Sequence, residues 1–105
     1  MTSPPTVAAL DCQFTIVAPR AIEEDLIEML VAHPECSREL VVVPVEAAGY
    51  GLTLGSARER VRGRSRQVEV RILLARTNVD ALVEALRASF NRSDIVYWAT
   101  PIIVT

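Results

Sequence analysis

The two halves of this chain repeat one order of apolar patterns, and this repeat limits the fold more than any other feature. With Gln13 aligned to Gln67, each half reads as strand, helix and strand. The segments predicted from the pattern are 13–19, 21–32 and 39–45 in the first half, and 67–75, 79–90 and 94–99 in the second. A duplicated βαβ unit is typical of the ferredoxin-like sandwich. We therefore predict an α+β fold of βαββαβ order, in which two helices cover one face of a four-stranded antiparallel sheet.

Local periodicity supports the individual elements. A strict alternation in the second half predicts a strand whose apolar side is formed by Val68, Val70, Ile72 and Leu74, and whose polar side is formed by Gln67, Glu69 and Arg71. The helix that follows carries an apolar stripe at Val79, Leu82, Val83, Leu86 and Phe90. The corresponding stripe of the first helix is Ile22, Leu26, Met29 and Leu30. Thr77, three residues before Asp80, resembles a capping box at the start of the second helix.

The second predicted strand is apolar on both sides over residues 40–45. Because the helices cover one face of the sheet only, several valines are expected on the open face: Val17, Val41, Val43 and Val45. Residues 97–104 are also too apolar to remain in water, and the neighbours Tyr97 and Trp98 must point to opposite sides of a strand. We expect one of these two rings in the core and the other at an interface. The pattern predicts association of chains through the open face.

Composition restricts the class of protein. The chain has 105 residues, half of them hydrophobic, which predicts one domain with a substantial core. A net charge of -2 argues against nucleic-acid binding. No apolar run is long enough for a transmembrane helix, and the first residues lack the features of a signal peptide. We expect a cytoplasmic protein without membrane insertion, its cysteines reduced, with a disordered tail over residues 1–11 and a single domain over 12–105.

The connection between the two halves is long and has an unusual composition. Residues 49–66 contain all four glycines of the chain and five of its arginines. Glycine permits close approach of a ligand to the backbone, and arginine binds carboxylate or phosphate groups through two parallel hydrogen bonds. The segment therefore predicts a site for an anion or an acidic partner. The alternative interpretation is a solvated, charged strand edge that prevents aggregation.

Three segments together resemble the P-II signalling superfamily: residues 26–34, Val61-Arg62-Gly63-Arg64, and Asp94-Ile-Val-Tyr-Trp98. The resemblance covers about residues 12–104, and more narrowly it points to a branch without a settled function that is often encoded beside heavy-metal efflux pumps. It implies a homotrimer whose open sheet faces pack together, with ligand clefts between the subunits. It implies a mobile T-loop over about 47–65, through which a non-enzymatic regulator controls a partner. The implied partner is a membrane transporter or efflux pump.

In many members of that superfamily the ligand is an adenine nucleotide, so the resemblance implies a small anionic ligand here. The candidate ligand-binding residues are Gly49, Gly51, Arg58, Arg62, Gly63, Arg64 and Arg92. The candidate partner contacts are Tyr50, Leu52, Leu54 and Arg60. Residues 89–94 stand where the family has a glycine-rich, phosphate-binding segment, but they contain no glycine and one cation, Arg92. The arginines at the base of the loop must therefore carry more of any ligand binding.

Cysteine and histidine support a second hypothesis, a small heavy-metal-binding protein that serves as a chaperone or buffer. Its candidate ligands for a transition metal are Cys36 and His33, although their spacing matches no zinc motif. Cys12 is a further thiol, but the third predicted strand lies between it and Cys36, which excludes a disulfide within the chain. The alternative is that the thiols act as small buried hydrophobic groups. The single histidine has no recognisable nucleophile beside it, so we expect no enzymatic activity.

Overall fold

The computed structural model describes residues 10–33, 40–48 and 64–103; of Ala47, Ala48 and Arg64 it describes the backbone alone. The described elements are β1 (Cys12–Pro19), α1 (Glu23–Val31), β2 (Leu40–Ala48), β3 (Arg64–Leu74), α2 (Val79–Ser89) and β4 (Val96–Pro101). The strands form one sheet in the order β2-β3-β1-β4, and every neighbouring pair is antiparallel. The predicted βαββαβ sandwich is confirmed, including the position of β3 between β1 and β2.

The core lies between the sheet and the two helices. Alternate residues of the central strands point to the helices and are buried: Cys12, Phe14, Ile16 and Ala18 on β1, and Val68, Val70, Ile72 and Leu74 on β3. The helices bury the predicted stripes against them, with Leu26 and Leu30 on α1 and Leu82 and Leu86 on α2. Side chains of a strand return to the same face every two residues, and those of a helix about every 3.6 residues. The apolar residues of each element follow its own period, so they all point into the layer between the sheet and the helices.

The start of α2 at Val79 is as predicted, whereas α1 begins at Glu23, two residues later than predicted. A 3-10 turn at Arg20–Ile22 precedes α1, and another at Arg76–Asn78 precedes α2. Thr77 therefore lies inside a turn rather than at a helix cap, and no side-chain hydrogen bond caps α2, so the predicted capping box is wrong. The first turn is instead stabilised from a distance, because the Arg76 backbone N–H donates to Asp11 Oδ1 at 2.8 Å.

The β2–β3 hairpin extends further than the sequence pattern indicated. The pairing continues through Glu46 opposite Arg66 to Ala48 opposite Arg64. Residues 47, 48, 64 and 65 of the predicted T-loop segment thus belong to the ladder, and residues 49–63 lie outside the described part of the chain. Near the start of the chain, Leu10 is buried, and the Asp11 carbonyl accepts a hydrogen bond from the Ile102 N–H. Leu10 and Asp11 both fall within the predicted disordered tail, residues 1–11.

The face of the sheet opposite the helices has an apolar rim and a charged centre. The register places Val41, Val43 and Val45 on this face, as predicted, opposite Arg71, Glu69 and Gln67 of β3. Trp98 lies on the same face and is 45% exposed, whereas Tyr97 points to the helices and packs against the core. At the centre, Arg71 Nη2 lies 2.6 Å from Glu69 Oε2. We call this surface the open face.

Candidate functional site

A cleft of about 330 Å³ lies where α2 ends and the chain turns into β4. Its apolar wall is formed by Leu86, Phe90 and Ile95. Its polar groups belong to Arg87, Asn91, Arg92 and Tyr97. The volume falls at the lower end of the range of small-molecule sites. We call this site the α2–β4 cleft.

Local structure explains why the cleft forms here. The helix stops because Phe90 adopts an extended backbone conformation, with φ -133° and ψ 94°. Its N–H still donates to the Leu86 carbonyl at 2.8 Å, which keeps the Phe90 side chain close to the last helical turn. The chain then enters β4, whose pairing with β1 places Tyr97 opposite Ile16. The rings of Phe14 and Tyr97 lie 5.8 Å apart between centroids, so the core holds one wall of the cleft in place.

Arg87 and Tyr97 form the first polar pair of the cleft. The Nε–H of Arg87 donates to the hydroxyl oxygen of Tyr97 at 3.2 Å. Arg87 is the only basic residue in the last turn of α2, where a cation is favoured by the partial negative charge of the helix end. The bond fixes the direction of the guanidinium, and it leaves the phenolic O–H of Tyr97 to donate elsewhere.

Arg92 and Asp94 form the second polar pair. Arg92 donates from Nε to Asp94 Oδ1 at 2.8 Å and from Nη2 to Oδ2 at 2.7 Å. Two parallel charge-assisted bonds of this kind are the strongest geometry available to arginine. They lower the pKa of the Asp94 carboxyl below its ordinary value, against the opposing effect of partial burial. The same pair raises the pKa of Arg92, so both groups remain charged.

The structure places only part of the predicted site. Arg92 lines the α2–β4 cleft, with its guanidinium held by Asp94. Arg64 pairs through its backbone with Ala48 at the end of the hairpin ladder. The remaining candidates lie outside the described residues and stay predictions: Cys36, Gly49, Tyr50, Gly51, Leu52, Leu54, Arg58, Arg60, Arg62 and Gly63.

Sequence reasoning missed Arg87, Asn91 and Tyr97 as members of a common site. Arg87 and Tyr97 are ten residues apart and lie on different elements. Only the pairing of β4 with β1 brings the tyrosine under the end of α2. The position of a cation directly after Leu86, on the border of the apolar stripe, was the one local signal.

The predicted metal site receives no support from the described residues. His33 is half-buried just after α1, where its backbone N–H donates to the Leu30 carbonyl at 3.1 Å. Cys12 is 2% exposed, and burial raises the pKa of its thiol above the ordinary value. A neutral buried thiol agrees with the alternative interpretation of a small hydrophobic group. Within residues 10–33, 40–48 and 64–103, no group of three or more His, Cys, Asp or Glu side chains could hold a metal ion.

Neither of the two described helices has the length and apolar character needed to cross a membrane.

Comparison with known proteins identifies relatives of the chain. Residues 8–104 match a family described as "Protein of unknown function (DUF3240)". No curated protein matches the chain significantly. A crystal structure of a DUF3240 family protein from Shewanella baltica OS155 is similar, with a TM-score of 0.73 and 14% identity over 91% of this chain and 93% of that one.

Two solved P-II-like proteins share the fold. CPII from Thiomonas intermedia K12, a nitrogen regulatory PII-like protein bound to ADP, AMP and bicarbonate, has a TM-score of 0.69 and 14% identity, covering 90% of this chain and 92% of that one. A putative PII-like signalling protein from Thermus thermophilus has a TM-score of 0.61 and 15% identity, covering 88% of this chain and 86% of that one. At these identities the likeness establishes a P-II-like fold.

Proposed function

The chain belongs to the DUF3240 family, and from this premise we propose that it is a non-enzymatic, trimeric P-II-like regulator in the cytoplasm. It binds a small anionic ligand in clefts between its subunits and controls a partner protein through the T-loop. The partner is a membrane transporter or efflux pump. Signalling is a population shift between loop conformations, driven by the difference in ligand affinity between them.

The open face is the observation that carries this proposal. Four large apolar side chains on it are at least one-third exposed, namely Val41, Leu73, Val96 and Trp98. A sheet with helices on one side only leaves such a surface in contact with water unless another chain covers it. Copies of the same face can cover these side chains. The Glu69–Arg71 pair at the centre of the face has no net charge, so two such faces do not repel each other.

The ligand proposal rests on the loop composition and on the relatives together. The P-II-like neighbour CPII was solved with ADP, AMP and bicarbonate. In this chain the nearest equivalents of phosphate-binding groups are Arg62 and Arg64 at the base of the loop, with Gly63 between them. Arg92 is already held by Asp94, so the loop arginines carry most of the affinity for the ligand.

Isothermal titration calorimetry with ADP, AMP and ATP tests the ligand. We expect binding of at least one nucleotide to the native protein, and a loss of about tenfold or more in affinity for Arg62→Ala and for Arg64→Ala, since each removes a charged hydrogen-bond donor. Arg20→Ala is the matched control, because it deletes an exposed arginine of the 3-10 turn before α1. Nucleotide affinity that responds equally to all three substitutions, or that is absent, would refute the assignment.

A further inference from the structure

The α2–β4 cleft combines an apolar wall with a cationic rim, within one subunit. Leu86, Phe90 and Ile95 supply the wall, and Arg87 and Arg92 supply the positive charge. Such a combination selects molecules that have an apolar body and an anionic end. All of its lining residues belong to one chain, and Arg92 among them is also a candidate residue of the ligand site in the proposed function.

The charge of the cleft indicates how much negative charge its ligand carries. The two arginines are its only charged lining residues among those described, and Asp94 neutralises Arg92 through two hydrogen bonds. One uncompensated positive charge therefore remains, that of Arg87. A single anionic group matches this balance, whereas a polyphosphate carries more negative charge than the one uncompensated arginine can neutralise.

The geometry of Arg87 and Tyr97 indicates which anionic group fits. The bond to Tyr97 uses the Nε–H of Arg87, and the terminal nitrogens carry the paired N–H groups that match the two oxygens of a carboxylate. Because the Tyr97 oxygen accepts the bond from Arg87, its own O–H proton is directed elsewhere and can donate to a ligand oxygen. The Arg92–Asp94 pair shows the same recognition chemistry within the chain, with a carboxylate as the acceptor.

We propose that the α2–β4 cleft binds a small monocarboxylate with an aromatic or branched apolar body. The carboxylate pairs with Arg87 and accepts a hydrogen bond from Tyr97, while the apolar body packs against Phe90 and Ile95. Asp94 limits affinity in two ways. It adds negative charge beside the ligand, and it holds Arg92 away from the carboxylate.

Phenylacetate is a suitable probe, with 2-phenylethanol as its uncharged counterpart. We expect saturable binding of phenylacetate to the native protein, measured by calorimetry at low ionic strength, and weaker binding of the alcohol by about tenfold or more. In ¹H–¹⁵N NMR spectra, the amide shifts that change on titration are expected within residues 86–97.

Four variants locate the binding groups. Arg87→Ala is expected to weaken phenylacetate binding by about tenfold or more, and Tyr97→Phe by about fivefold, since one hydrogen bond is lost while the ring remains. Asp94→Asn is expected to tighten binding, because it removes the competing negative charge. Arg20→Ala, an exposed arginine outside the cleft, is the control with the same charge change and is expected to leave the affinity within about twofold.

The proposal is overturned by any of three results. They are no saturable binding of phenylacetate, equal affinity for the acid and the alcohol, or equal effects of Arg87→Ala and Arg20→Ala. If Arg87→Ala unfolds the chain, Arg87→Lys takes its place in the third comparison, because it keeps the charge without the planar fork and is expected to bind phenylacetate more weakly than the native protein. Nucleotide binding to the loop arginines is measured separately, so either proposal can fail alone.

Discussion

Asp94 and Cys12 show how single side chains depend on their surroundings in this fold. Asp94 is held in its charged form by the Arg92 guanidinium, whereas Cys12 is kept neutral by burial beneath the helices. Both groups therefore link stability to pH, but in opposite directions and at opposite ends of the pH scale.

The substitution Asp94→Asn tests how stability depends on pH under acidic conditions. The folded-state pKa of Asp94 is lowered, so its contribution is fully present above the unfolded pKa of about 3.9 and is lost as pH falls through the folded value. We expect Asp94→Asn to lower the urea midpoint at pH 7 and to have little effect near pH 2. Equal losses at the two pH values would contradict an ionic role for this carboxylate.

The substitution Cys12→Ala tests how stability depends on pH under alkaline conditions. The thiol pKa is raised above its ordinary value of 9.0, so its stabilising effect is complete below pH 9 and is lost as pH rises through the folded value. Cys12→Ala is expected to cost about 1 kcal/mol at pH 7, through the cavity that it leaves. Its deficit relative to the native protein should shrink by up to about 1.4 kcal/mol per pH unit above pH 9. A deficit that stays constant to pH 10.5 would contradict a raised pKa of the Cys12 thiol.

At the scale of elements, local patterns predicted which strands and helices form. They did not predict the full length of the β2–β3 hairpin or the residues that meet in the α2–β4 cleft. The alternation in β3 and the stripe on α2 depend only on neighbouring residues, and both are confirmed. The extra length of the hairpin, in which Glu46 lies opposite Arg66, is a property of two paired strands that no local pattern reveals. The α2–β4 cleft is similar. Arg92 was recognised as the one cation of its segment, but Tyr97 joins it only because β4 pairs with β1.

The Asp11 side chain connects two elements that are far apart in the sequence. It accepts a hydrogen bond from the Arg76 N–H across 65 residues of sequence, and so ties the start of β1 to the turn that opens α2. Asp11→Ala is expected to lower the free energy of unfolding by about 1 kcal/mol, as for other lost helix caps. Asp11→Asn keeps an acceptor oxygen and should lose clearly less. Equal losses for the two variants, measured by urea denaturation, would exclude the capping role.

At the scale of the whole molecule, the exposed apolar side chains of the open face are unfavourable in a monomer and favourable in an assembly that buries them. Its apolar residues surround one ion pair, in which Arg71 Nε also donates to Glu69 Oε2 at 2.7 Å. On a monomer this pair is exposed to water and contributes little. Between packed copies it would be desolvated, and each charge would then depend on its partner.

The ion pair therefore gives a test of assembly. In a trimer built on the open face, Glu69→Ala and Arg71→Ala each leave a charge without its partner, so both are expected to shift the assembly toward monomer in size-exclusion chromatography with light scattering. The double variant Glu69→Val with Arg71→Val removes both charges and should recover the trimer, because apolar replacement of a buried pair is often neutral. If the single and double variants elute alike, the open face is not the interface.

Native mass spectrometry with saturating ADP is the decisive experiment for a ligand-binding trimer, because one spectrum reports both the assembly and its bound ligand. We expect a species of three times the 11.5 kDa chain mass that carries up to three nucleotides. We expect the double variant Arg62→Ala with Arg64→Ala to keep the trimer and to lose the nucleotides. A monomer of 11.5 kDa, or a trimer that takes up no nucleotide, would contradict the proposal that this DUF3240 protein is a ligand-binding P-II-like regulator.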